Sequence, residues 1–92
     1  MIGGRGNADP PRCDVLLLND DGTPMEFVVV VLERFFGMSN LEANTHMLRI
    51  HRDGQAICGT YWCDEAKRKV ADVLAFARKH KHPLQCVLEQ AD

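Results

Sequence analysis

Residues 15–32, with the sequence VLLLNDDGTPMEFVVVVL, decide the fold of this 92-residue chain. The continuous apolar run Val15–Leu18 is typical of a buried strand. It stops at Asn19–Gly22, where four residues that favour turns follow one another. By propensity alone, the apolar run Phe27–Leu32 would form a second strand. The signals at the two ends of that run decide between strand and helix.

Capping signals favour a helix after the turn. Thr23 is predicted to be its N-cap, with Pro24 at the first helical position and Glu26 completing a capping box. Gly37 lies just past Phe36, where helices commonly end in a left-handed residue. This helix should be the most buried one, because it is apolar on nearly every side.

The rest of the chain adds two helices and two strands, recognised from capping residues and from apolar periodicity. The order β-α-α-β-α-β predicts an α+β fold. We expect one small domain in which a three-stranded antiparallel sheet packs against three helices. The later elements are a helix opened by a Ser39 and Glu42 capping box and ending near Gly54, a strand over 56–62, a helix capped by Asp64, and a strand over 84–89.

Length and composition exclude several classes of protein. Residues 1–12 contain three glycines and two prolines and are predicted to form a flexible tail, followed by a core domain over 13–92. A net charge of −2 argues against a nucleic-acid-binding surface. No apolar run approaches the ~18 residues of a membrane span, and no signal-peptide segment opens the chain. We therefore expect a soluble intracellular protein that contacts neither nucleic acid nor membrane.

The four cysteines are predicted to be free and mostly buried thiols. Cys58 and Cys86 fall in strand-like apolar runs, where cysteine behaves as a small hydrophobe. The alternative is a zinc site built from Cys58, Cys63, His80 and His82. The usual paired spacings of zinc ligands are absent from this set, so we expect no metal and no cofactor.

The turn after the first strand is more polar than a turn requires, since Asn19, Asp20 and Asp21 supply an amide and two carboxylates. Two hydrolase interpretations compete for it. A phosphatase of the haloacid dehalogenase type needs an aspartate nucleophile where Asn19 stands, and a metal-dependent nucleotidase needs further acidic ligands downstream. Both folds need a parallel sheet and a longer chain. A site for a cation is the better interpretation, with a plain turn as the alternative.

His51 follows Met47 by four residues, so both lie on one face of the second helix. If this helix packs beside the strand end, His51 faces the turn. An imidazole nitrogen, the Asn19 oxygen and the Asp21 carboxylate then offer three acceptors, which matches the three donors of an ammonium group. A surface histidine at a helix end is the alternative.

The same residues resemble the hallmark of the Clp protease adaptor family, ClpS. The likeness begins at Leu17–Val28 and covers essentially residues 13–90, in matched order and spacing. It implies a protein without catalytic activity that recognises N-degrons. Such an adaptor binds proteins whose first residue is Leu, Phe, Tyr or Trp and delivers them to an ATP-driven Clp unfoldase–protease. The remaining matched motifs are Val31-Leu32-x-x-Phe35-Phe36, Met47-Leu48-x-x-His51, Gly54-x-Ala56-Ile57-Cys58-Gly59, Lys69-Val70 and His82-Pro83-Leu84-x-Cys86.

The resemblance also implies a role for each matched residue. Asn19 and His51 would hydrogen-bond the substrate's α-ammonium, with Asp21 contributing charge. Asp20 would flank the entry and touch the second substrate residue. Met25 would act as a gate that disfavours β-branched side chains. The pocket for the first side chain would be lined by Leu17, Thr23, Met25, Val28, Met47, Ile50 and Leu84.

Docking to the unfoldase is implied at a second place. Asp64 and Lys69 match positions expected to contact the unfoldase's N-terminal domain. Two residues depart from the pattern of the family. Lys67 is basic in a run that is more often acidic in the family, and Gly22 replaces an aromatic residue at the mouth of the pocket. We expect a monomer in a bacterial cytosol or an organelle of bacterial descent. A regulator that binds the unfoldase without delivering substrates is the alternative function.

Overall fold

A three-stranded antiparallel sheet with its first strand at the centre organises the structure, a computed structural model that describes residues 11–91. The central strand pairs with both others, so the second and third strands of the chain form the two edges of the sheet. The predicted fold class and element order are confirmed. Within the described residues the elements are β1 Arg12–Leu18, α1 Met25–Phe36, α2 Asn40–Asp53, β2 Gln55–Trp62, α3 Cys63–Lys79 and β3 Gln85–Gln90.

The core lies between the sheet and the three helices. Val15 and Leu17 of β1 are fully buried and form one cluster with Val31 and Leu32 of α1. The cluster also takes in Val73, from α3. Residues 1–10, most of the predicted flexible tail, lie outside the described residues, and β1 begins at Arg12 rather than at Cys13. No helix within residues 11–91 is both long and apolar enough to cross a membrane.

Some of the predicted helix-capping residues are confirmed, and others are wrong. Ser39 and Glu42 form the predicted capping box, and Gly37 and Gly54 end α1 and α2 in the left-handed conformation. The predicted Thr23 cap is wrong, because α1 begins at Met25 with no side-chain cap. The Pro24 carbonyl accepts the Phe27 and Val28 N–H groups instead, at 3.0 and 3.3 Å.

The Asp64 cap is also wrong. Helix α3 follows β2 without a loop and starts at Cys63, with Trp62 in the N-cap position and no side-chain cap. Asp64 and Glu65 lie instead in the first turn of the helix. Negative side chains there interact favourably with the positive end of the helix dipole.

Two of the four cysteines are not free, which corrects the sequence-based prediction. Cys13 and Cys63 form a disulfide, and their Cα atoms are 4.9 Å apart. Antiparallel pairing explains this approach, since Cys13 lies opposite Tyr61, two residues before Cys63. The bond removes Cys63 from the ligand set of the alternative zinc site. Cys58 and Cys86 are buried free thiols, as predicted, and burial raises the pKa of each to about 12.

Candidate functional site

One backbone hydrogen bond brings the polar turn and the end of α2 together. The Asn19 N–H donates to the carbonyl of Gly54 at 2.9 Å, directly after β1 ends. Gly54 closes α2, and its own N–H donates to the Ile50 carbonyl at 2.9 Å. His51 lies one residue beyond Ile50, so the predicted approach of Asn19 and His51 is present in the fold.

A small cleft lies where the turn, α1 and α2 meet. Its volume is about 20 Å³, near the size of one water molecule. Polar atoms come from the turn and from the end of α2, and apolar side chains come from the two facing helices. The cleft is lined by Leu18, Asn19, Asp20, Thr23, Met25, Val28, Met47, Ile50 and His51.

Most of the residues predicted for the site therefore meet in one place. Leu17 and Leu84 are fully buried in the core and are not among the residues lining the cleft. Asp21 is exposed and does not line it either. Leu18 does line it and was not predicted. In a continuous apolar run such as Val15–Leu18, no alternation in the sequence tells which side chains face the core.

The carboxylate of Asp20 is used inside the turn. It accepts a hydrogen bond from the Gly22 N–H at 2.8 Å, and the Thr23 hydroxyl lies 2.8 and 3.0 Å from its two oxygens. Thr23 does not cap α1 because Pro24 occupies the N-cap position, and the Thr23 hydroxyl donates to Asp20. Asp20 thus fixes the backbone that presents Asn19 and Asp21, in addition to lining the cleft.

Gly22 allows a close approach of the loop before β3. A Cβ atom at this position would lie 2.7 Å from the Cγ of Pro83, a distance that real Cβ atoms do not adopt. The absence of a side chain therefore lets the Pro83 ring pack against the turn. Gly22 departs from the aromatic residue that the resemblance to ClpS implies, but its contact with Pro83 is not apparent from the sequence.

One of the apolar residues contributed by the two helices to the cleft is exposed. Val28, Met47 and Ile50 are buried, whereas Met25 is 44% exposed. A methionine side chain has three rotatable bonds and adapts to irregular partners. Because the cleft holds only about 20 Å³, a side chain of the size of leucine can enter only if a lining residue moves. Met25 is the best placed to do so.

The predicted docking residues lie on α3 and do not line the cleft. Asp64 lines a separate shallow depression together with Trp62 and Cys63. The Lys69 ammonium lies over the ring of Tyr61 at 5.4 Å and over that of Phe36 at 5.9 Å. These contacts are within the range of cation–π interactions, and they orient the half-buried Lys69 side chain.

Comparison with known proteins identifies the family of this chain. Residues 8–87 match the model of the ATP-dependent Clp protease adaptor protein ClpS family. The chain belongs to the ClpS family. Similar adaptors include ClpS of Ruegeria sp. strain TM1040, which is 55% identical over 83 residues, 90% of this chain and 74% of that protein. ClpS of Aromatoleum aromaticum is 56% identical over 81 residues, 88% of this chain and 79% of that one.

A solved ClpS structure shares the fold. Agrobacterium tumefaciens ClpS2 bound to L-phenylalaninamide superposes with a TM-score of 0.87 and is 35% identical in sequence. The match covers 90% of this chain and 100% of that chain. The resemblance to ClpS and the fold that it implied are therefore confirmed.

Proposed function

We propose that this protein is an N-degron adaptor that presents substrates to a Clp AAA+ unfoldase–protease. It binds the free α-amine and the Leu, Phe, Tyr or Trp side chain of a substrate's first residue. The cleft carries this proposal, because it joins polar acceptors at the end of β1 to an apolar floor between α1 and α2. The complex of the Agrobacterium ClpS2 with L-phenylalaninamide, a free amine bearing an aromatic side chain, supports it.

The amine is held by acceptors of the turn and of α2. A free α-amine has a pKa of about 7.7–8.0 and carries three N–H donors when charged. The Asn19 side-chain oxygen and an unprotonated His51 nitrogen accept two of them. The exposed Asp21 carboxylate adds negative charge nearby. Hydrogen bonds to a charged group contribute roughly 1.5–3 kcal/mol each, so the amine supplies a large share of the affinity.

The side chain of the first residue enters the apolar half. Burial of a leucine or phenylalanine contributes roughly 1.5–3 kcal/mol, which is of the same order as one charged hydrogen bond. Ordering the flexible end of a polypeptide offsets part of both terms. Met25 swings aside to admit a side chain without a branch at Cβ and collides with a side chain that has one. Affinity therefore requires the amine and the side chain together.

Asp20 acts mainly by holding the turn. Its carboxylate already accepts hydrogen bonds from Gly22 and Thr23, so fewer of its lone pairs are free to contact the second substrate residue.

Asp64 and Lys69 present a separate surface on α3 for the unfoldase's N-terminal domain. The protein acts as a monomer without catalysis of its own. We place it in a bacterial cytosol or an organelle of bacterial descent, as the bacterial relatives favour.

Peptide titration tests the cleft. A labelled peptide beginning with Phe is compared with its acetylated form and with one beginning with Val. We expect Asn19→Ala and His51→Ala each to weaken binding about 10- to 150-fold, which corresponds to the loss of one charged hydrogen bond. Acetylation should remove most of the binding, because it eliminates the charge of the amine and its hydrogen bonds to both residues. Asn44→Ala is the matched control on the same helix, because the Asn44 side chain donates to the Asn40 carbonyl at 2.8 Å and does not line the cleft. Equal affinity of all three peptides would refute the proposal.

Delivery is tested separately, with a reporter protein beginning with Phe, the Clp unfoldase and its protease. We expect this protein to accelerate degradation of the reporter, and the acceleration to fall when Asp64→Ala and Lys69→Ala are combined. Peptide binding should be unchanged in that double variant. Binding of the unfoldase without faster degradation of the reporter would support the regulator instead.

A further inference from the structure

Two open grooves continue from the cleft along the outer face of α2. The first has a volume of about 440 Å³ and is lined by Thr45, Leu48, Arg49, His51 and Arg52. His51 also lines the cleft, so the groove adjoins the cleft at this residue.

The second groove lies further from the cleft. It has a volume of about 390 Å³ and is lined by Met38, Leu41, Glu42, Thr45 and His46. It shares Thr45 with the first groove. The two grooves thus form one path along α2, named here the α2 groove, that ends at His51.

Large apolar side chains line this path. Leu48 is 57% exposed and Leu41 is 78% exposed, the most exposed of the large hydrophobic residues within 11–91. They are seven residues apart, two helical turns, and therefore lie on one face of α2. A single exposed leucine is ordinary, but an apolar row along a groove that enters a binding site marks an interaction surface.

We infer that the α2 groove binds the substrate residues that follow the N-terminal one. This inference rests on the proposed function. The groove adjoins the cleft at His51, so a substrate whose first residue occupies the cleft can continue into the groove. Ten residues separate Leu41 from His51, which on a helix corresponds to about 15 Å. An extended peptide advances about 3.3 Å per residue, so about four or five residues beyond the first cover the groove.

The alternation of an extended chain determines which substrate residues matter. Successive side chains point to opposite sides, so positions three and five face the same way as position one. With position one in the cleft, positions three and five face Leu48 and then Leu41. The adaptor therefore prefers apolar side chains at these two positions. Arg49, exposed at the edge of the groove, adds a salt-sensitive preference for an acidic side chain nearby.

Three ligands test this inference by calorimetry. They are phenylalaninamide, the hexapeptide amide Phe-Gly-Leu-Gly-Leu-Gly and the matched peptide Phe-Gly-Ser-Gly-Ser-Gly. We expect the leucine peptide to bind about tenfold more tightly than the serine peptide, since partial burial of two leucines supplies a gain of this order. The double variant Leu41→Ser, Leu48→Ser should lose this gain and bind phenylalaninamide as before. Val30→Ser is the control, because Val30 is 42% exposed on α1 and lines neither groove.

Each other outcome overturns the inference in a recognisable way. Equal affinities for the two hexapeptides, with phenylalaninamide still bound, would refute the α2 groove and leave the cleft intact. Failure of the wild-type protein to bind phenylalaninamide would refute the proposed function and the groove with it. If the double variant kept the leucine gain but lost affinity for the unfoldase, the groove would belong to the unfoldase and not to the substrate.

Discussion

Reduction of the Cys13–Cys63 disulfide should destabilise the protein substantially without abolishing the cleft. The bond links the start of β1 to the first residue of α3, and neither cysteine lines the cleft. The disulfide restricts the unfolded chain more than the folded one, so its loss lowers the free energy of unfolding. Cys13 is paired with Tyr61 in the sheet, and the Cys63 N–H donates to the Pro11 carbonyl at 3.0 Å, so the folded protein should keep its shape without the disulfide.

The size of the effect follows from the sequence separation of 50 residues. The loop-closure relation, in which the entropy loss grows with the logarithm of loop length, gives about 4 kcal/mol for such a loop at 25 °C. Small domains typically have a total stability of about 5–15 kcal/mol. The reduced protein should thus remain folded at 25 °C but unfold at a much lower urea concentration.

Urea denaturation of the oxidised and reduced proteins measures the difference. The double variant Cys13→Ser, Cys63→Ser should unfold like the reduced wild type and should not respond to reductant. Phenylalaninamide should bind the oxidised and reduced forms equally in the absence of urea. Coincident unfolding curves for the two forms would contradict the loop-closure argument, and a response of the double variant to reductant would show that another pair of cysteines is bonded.

Three further predictions concern the site and the core. Asp20→Ala should lower the free energy of unfolding by about 1–3 kcal/mol and also weaken peptide binding, because the Gly22 N–H and the Thr23 hydroxyl lose their acceptor. Asp21→Ala should weaken peptide binding without changing the free energy of unfolding. Urea denaturation and peptide titration of the two variants measure these effects. Met25→Ala should raise affinity for peptides beginning with Val or Ile at least severalfold, and unchanged selectivity would refute the gate. Cys58 and Cys86, with pKa values raised to about 12, should react with iodoacetamide at pH 8 only upon unfolding, as mass spectrometry would detect.

The element order was predictable because each element carries a signal of its own. The capping box at Ser39 and the glycines after α1 and α2 are local patterns with one physical interpretation each. Thr23 is not the cap because α1 begins one residue later than the capping pattern predicts, with Pro24 in the N-cap position. The sequence shows that Asp20 and Thr23 are three residues apart, but not that their side chains meet in the turn.

The disulfide and part of the cleft depend on geometry between distant segments. Cys13 and Cys63 meet only because of the register between β1 and β2, which includes a shift between Val15 and Leu16. The same limit applies to Leu18. Its place in the cleft depends on where β1 ends relative to α2, which local sequence does not specify.

Asn19 shows how one residue serves the fold and the cleft with different groups. Its main-chain N–H holds the end of β1 against the end of α2, and this contact exists whatever the side chain is. The exposed side chain is therefore available for a ligand. His51 is brought within reach by the same backbone bond, since Gly54 closes its helix. Main-chain hydrogen bonds thus position the site, and side chains supply its ligand contacts. A substitution of the Asn19 side chain can therefore change ligand binding while the backbone of the turn keeps its place.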